Sequence, residues 1–246
     1  MDHNADQLIL PEILQQYDRL SHAGNFSAAG EFLRTVLARA QAANECSIQL
    51  TVLSEMMGLY RMAGDRERTL EAVEKGLALL ETMDLADPVS GGTILINAAT
   101  ALQAIGMVPR ALLLYRRAEE IYRDSLKSDD PLLAGLFNNM AAAYEKNGDR
   151  QTAEKLYLQA LDILQQCGIK TDSAVTYINL AVLYAACDPE LCQNCLDAAN
   201  MLLDDPALAR DSYYMHTCGK CIPVFRMLGR EALADKFQSY LDRMQL

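Results

Sequence analysis

Two cysteine pairs, Cys192-x-x-Cys195 and Cys218-x-x-Cys221, have the spacing by which thiolates hold a structural zinc ion, with Cys187 and His216 near them in sequence as further donors. Four such ligands would complete a tetrahedral site. However, Cys192, Cys218 and Cys221 also fall where an apolar or small side chain recurs along the chain, and there cysteine acts as a small hydrophobe. Antiparallel helix packing would also separate Cys192 from Cys218. A zinc-stabilised scaffold is the alternative reading, and the main expectation is no metal and no other cofactor.

Catalytic chemistry has little to draw on. His3, His22 and His216 are isolated from one another, and no nucleophile motif or phosphate-cradling loop accompanies them. Gly91-Gly92 lacks the Lys-Ser and the preceding strand of a phosphate loop and reads as a linker before a helix. Carboxylates are plentiful, but nothing in the sequence singles out a pair in a cleft. A non-enzymatic role is expected.

Asparagine offers a different chemistry. Asn97, Asn139 and Asn179 recur at intervals of 42 and 40 residues. Each carboxamide can donate and accept at once, which suits a peptide backbone with one donor and one acceptor per residue. Whether the three act together depends on the elements that carry them.

Composition points to helices. Of 246 residues, 51% are hydrophobic, Trp is absent and aromatics make up only 7%, while good helix formers abound. The residues Gly24, Gly64, Gly106, Gly148, Asp188 and Gly229 are spaced by 40, 42, 42, 40 and 41. Five residues after each lies a small side chain, Ala29, Thr69, Ala111, Ala153 or Ala234, with Cys192 in the fifth repeat after a one-residue deletion. Four residues before each lies a large one: Leu20, Tyr60, Leu102, Tyr144, Tyr184 or Phe225. Offsets of 11, 8, 7 and 4 before the turn form an i, i+3, i+4, i+7 stripe, as in Phe137, Met140, Ala141 and Tyr144. This predicts six pairs of antiparallel helices in a single domain over 1–246, with repeats near 8–45, 46–86, 88–128, 130–170, 172–205 and 207–246. Asp87-Pro88, Asp130-Pro131 and Asp205-Pro206 are expected to stop one helix and begin the next. Pro223 is expected to interrupt the first helix of the last repeat.

These residues resemble the tetratricopeptide family. The interval near 42, with Asp130-Pro131 through Leu164, is similar to the longer kinesin light chain variety. The resemblance implies an all-α, right-handed α-solenoid of about six helix-turn-helix repeats whose first helices line a concave wall. It also implies that the asparagine row Asn97, Asn139 and Asn179 holds an extended cargo peptide. Asn138, Thr100, Glu55, Arg61, Lys146 and Lys220 lie on or beside the same exposed face and complete the expected contact set. The other reading of the row is structural, with each amide bonding its own backbone or the adjacent helix. The Lys and Asn set by which some tetratricopeptide domains hold a C-terminal carboxylate is not present as a full pattern. Some bacterial members of the family sense peptide signals through an added output domain. None is legible before Leu8 or after Met244, so a sensor would act through a separate partner.

Net charge of -11 repels phosphate backbones, and no cluster of Lys and Arg marks a nucleic-acid footprint. From Met1 to Pro11 no basic region precedes an apolar one, and no apolar run reaches membrane-spanning length. Seven cysteines, an odd number, read as free thiols in a reducing compartment. The expectation is a cytoplasmic adaptor that binds a protein or peptide, touches neither nucleic acid nor membrane, and has an oligomeric state the sequence leaves open.

Overall fold

The structure, a computed structural model, describes residues 8–83 and 87–244. His3, the side chain of His22 and the repeat limits placed at 86 and 246 fall outside the described residues. Among the described residues the chain forms twelve α-helices and no strand. It divides into two compact bodies, one ending at Ser125 and the other beginning at Leu126. The first holds α1 (Leu10–His22), α2 (Phe26–Ala42), α3 (Cys46–Met62), α4 (Arg66–Thr82), α5 (Pro88–Ala104) and α6 (Val108–Ser125). The second holds α7 (Pro131–Lys146), α8 (Arg150–Gln166), α9 (Lys170–Tyr184), α10 (Pro189–Asp204), α11 (Ser212–Met227) and α12 (Glu231–Met244).

Local chemistry sets the helix limits. Asn25, Asp65, Asp149, Asp188 and Asp211 each accept a backbone N–H from the first turn of the helix they precede. Such a cap satisfies a donor that has no intrahelical partner. Asp87 and Asp130 do the same for Val89 and Leu132 at 3.0 and 2.9 Å, with proline at the first helical position. Five hairpins close on a glycine in the left-handed region, with φ from 70° to 84° at Gly24, Gly64, Gly106, Gly148 and Gly229. In each, the residue after the glycine donates back to the large residue four before it, as Asp149 does to Tyr144 at 2.9 Å. This Schellman arrangement explains the spacing: the large side chain is the one whose carbonyl the turn satisfies.

The fifth hairpin departs from this. Asp188 is the cap of α10, aligned with Asp149 rather than with Gly148, and its N–H reaches Tyr184 directly at 2.8 Å. The missing residue is thus the left-handed one, and Cys192 keeps the fourth helical position that Ala153 holds in α8. Two links between hairpins repeat the motif instead. Asn44 (φ 56°) joins α2 to α3 and Gly168 (φ 69°) joins α8 to α9, with Glu45 donating to Ala40 and Ile169 to Leu164, both at 2.9 Å.

Small residues let the helices of a pair approach closely. Ala29, Thr69, Ala111, Ala153 and Ala234 are fully buried. The core of the first body also buries Leu33, Met57, Leu95, Leu102 and Tyr115, and that of the second Phe137, Tyr157, Leu196, Phe225 and Phe237. Helix ends are tied across neighbouring hairpins. Arg66 of α4 donates to the carbonyl of Ile105 beyond α5, and Arg150 of α8 donates to that of Leu183 in α9. Tyr184 donates to Glu154 at 2.6 Å.

Three expectations are corrected. Gly91 and Gly92 are not a linker but lie buried inside α5, because the Asp87-Pro88 cap starts the helix at residue 88. A side chain at Gly92 would stand 2.5 Å from the ring of Tyr122, so the glycine lets α6 close in. Asp205-Pro206 ends α10 but does not begin α11, which starts at Ser212 on the Asp211 cap; the Asp205 carboxylate instead holds a turn by accepting from Ala207 at 2.8 Å. Finally, α11 runs through Pro223 without interruption.

Candidate functional site

The residues thirteen, nine and six before each turn lie on the face of the first helices away from the stripe. In the second body this face is an open cleft of about 270 Å³. Gly135, Asn139 and Ala142 of α7 line it, thirteen, nine and six residues before Gly148, together with Val175 and Asn179 of α9 and Lys220 of α11. Three successive first helices therefore present their ninth-offset side chains, two carboxamides and an ammonium, to one space. Among the described residues neither Asn139 nor Asn179 has a side-chain hydrogen bond, and Lys220 forms no ion pair. Asn138 lines the same cleft. Its Nδ2 donates to Thr176 Oγ1 at 2.8 Å, while its Oδ1 is buried with no partner. A buried acceptor left unmet is costly, and this oxygen is closed to solvent.

The same face of the first body forms a second cleft, of about 490 Å³, between α3 and α5. Glu55 and Asn97 hold the ninth offset there, but Asn97 is not free: its Nδ2 donates to Ser54 Oγ at 2.8 Å. The structural reading of the asparagine row thus describes Asn97, while Asn139 and Asn179 are left available. Burial, with a smaller contribution from Asp18, raises the pKa of Glu55 above the usual carboxylate range.

The other expected residues lie outside both clefts. Thr100 donates to the Ile96 carbonyl at 2.9 Å and stands 2.9 Å from the Tyr115 hydroxyl. That phenol is buried, which pushes its pKa up to about 12. Arg61 is half-buried at the end of α3, where its charge acts on Tyr17 and Tyr115. Lys146 is exposed at the end of α7.

Sequence reasoning missed Asp172 and Tyr213 in the second-body cleft and Ser90 in the first-body one. All three stand sixteen residues before their turns, one helical turn beyond the offset of thirteen. Continuing the series would have found them. Tyr213 donates to Asp172 and so engages that carboxylate.

The cysteine pairs are buried on α10 and α11. Burial pushes the Cys195 thiol up to about 11 and Cys221 up to about 12, so neither is a thiolate near neutrality. Among the described residues no three His, Cys, Asp or Glu side chains converge as metal ligands. No helix among them is long and apolar enough to cross a membrane.

Stacked two-helix repeats with their first helices side by side define a helical-repeat scaffold. Residues 132–199 match the family model described as tetratricopeptide repeat. That stretch, from α7 into α10, is similar to tetratricopeptide repeats, and the fold of the chain is one also seen in kinesin-light-chain-like repeats. The solved structure of BtubC (BKLC) from P. vanneervenii superposes with a TM-score of 0.57 at 19% identity, over 97% of this chain and 92% of that one. A putative kinesin light chain with nearly identical TPR-like repeats from Podosopora anserina gives 0.52 at 19% identity, over 80% and 95%. The apo form of RapI gives 0.51 at 13%, over 96% of both chains. No curated protein matches the sequence.

Proposed function

We propose that this protein is a non-enzymatic interaction scaffold that binds an extended peptide or a segment of a partner protein along the exposed face of its first helices. Repeat arrays present extended surfaces of this kind for partners. The observation that carries the reading is the second-body cleft, where Asn139, Asn179 and Lys220 meet with no side-chain hydrogen bond or ion pair among the described residues. Helix axes pack roughly 8–10 Å apart and an extended chain rises about 3.3 Å per residue. Neighbouring amides would therefore meet about every third residue of a bound strand. Gly135 and Ala142 leave room for its backbone. The net charge of -11 favours a protein partner over a nucleic acid, and an odd number of cysteines suits a reducing, cytoplasmic setting.

The test is a selection of peptides against the intact chain from a random displayed library, followed by titration of the selected peptides. Asn139→Ala and Asn179→Ala are each expected to weaken binding roughly tenfold, the range for losing one or two hydrogen bonds, with a melting temperature close to the parent's. Unchanged affinity accompanied by a large loss of stability would reverse the assignment and make these amides packing residues.

A further inference from the structure

The first-body cleft differs in chemistry from the second. Its charged lining residues are Glu55 and Asp87, and no Lys, Arg or His lines it. Four of the seven hydrogen-bond donors on its lining side chains are spent inward. Thr51 donates to the Ser47 carbonyl at 3.0 Å, Ser90 to the Asp87 carboxylate at 2.7 Å, and Thr93 to the Val89 carbonyl at 3.1 Å. Asn97 gives one N–H to Ser54. What the cleft offers a guest is mostly acceptors: the half-buried Glu55 carboxylate, which forms no ion pair among the described residues, the Asp87 carboxylate, hydroxyl lone pairs and the Asn97 carbonyl. Arg61, on the same helix as Glu55, acts on Tyr17 and Tyr115.

Resting on the reading of this face as a peptide surface, we propose that the cleft between α3 and α5 is a specificity pocket for an arginine side chain of a peptide bound to the first body. A guanidinium carries five N–H donors, a positive charge and no acceptor, which complements a lining with two carboxylates and no cationic side chain. A carboxylate would meet two like charges, and an apolar side chain would strip water from Glu55 without replacing its hydrogen bonds. At about 490 Å³ the cleft has room for the whole side chain. The strongly negative chain draws basic segments towards it.

The peptides selected against the intact protein provide the test. They are expected to share an Arg at one position. Replacing that Arg by Gln should weaken binding to the parent roughly ten- to a hundredfold, the span for charge-assisted hydrogen bonds. Against Glu55→Gln the Arg and Gln peptides should bind almost alike. Asp87→Asn, which keeps a capping side chain for α5, should narrow the difference in part. Melting curves of both variants confirm that they are folded. Selected peptides without a shared Arg, or an Arg-to-Gln loss that persists in Glu55→Gln, would overturn the pocket while leaving the peptide surface standing. A selection that yields no binding peptide would remove both.

Discussion

Equivalent positions in the repeats do different work. Asn97 and Asn139 hold the same offset, yet Asn97 spends its N–H on Ser54 while Asn139 has no side-chain hydrogen bond among the described residues. Asn97→Ala should cost about 0.5–1.5 kcal/mol, the usual net worth of a hydrogen bond, whereas Asn139→Ala should cost almost nothing; urea denaturation of the two variants compares them. Glu55 makes a prediction in pH. Burial and Asp18 raise its pKa, so the protonated form is the one the folded state favours. Its contribution to stability is fully present below the ordinary glutamate range and is lost as pH rises through the raised value. The melting temperature of Glu55→Gln should thus lie closest to the parent's below the ordinary glutamate range, gain on it as pH rises, and level off once the raised value is passed. A gap that does not change with pH would mean that Glu55 ionises as freely in the fold as in the open chain.

Two glycines separate helices that would otherwise collide, with different consequences. A methyl group at Gly92 would meet the ring of Tyr122, a rigid and nearly fully buried neighbour, at 2.5 Å. At Gly76 it would meet the terminal methyl of Met57 at 2.4 Å, which can swing aside. Gly92→Ala is therefore expected to destabilise by about 1–3 kcal/mol through overpacking. Gly76→Ala should be much milder, since a helix interior gains about 0.5–1 kcal/mol from the exchange itself; thermal melts decide both. The same contrast shows what the sequence makes legible. A period near 41 residues and a stripe at 11, 8, 7 and 4 locate the hairpins, because burial imposes them on every repeat. Gly91-Gly92 misleads, since a close approach and a chain break both call for glycine and only the partner ring tells them apart. The links at Asn44 and Gly168 are equally obscure, because each motif occurs once in its body and has no period to reveal it. In the clefts the exposed face was legible from helical geometry. Which amides remain free was not, since that depends on whether Ser54 or Thr176 lies within reach across the groove.

Within each body the helices pack against near neighbours in the chain: α3 against α2, α4 and α5, and α9 against α7, α8, α10 and α11. Stability in such an array is a sum of repeat terms and nearest-neighbour terms. In the second body, Phe225 of α11 stacks on Phe237 of α12 with ring centroids 5.7 Å apart. Phe225→Ala should cost about 3–5 kcal/mol. Hydrogen exchange should quicken most in α11 and α12 and little in α7 and α8; uniform loss of protection through α7–α12 would show a body that opens as one piece. The bends at Asn44 and Gly168 have a broader implication. Since α2–α3 and α8–α9 are joined by the same local structure that closes the hairpins, at these two links the backbone itself does not mark where one repeat stops. A segment of two helices can be copied or lost in either phase, and the severed ends rejoin through a turn the chain already makes, so proteins of this design can change length during evolution without first inventing a new connection.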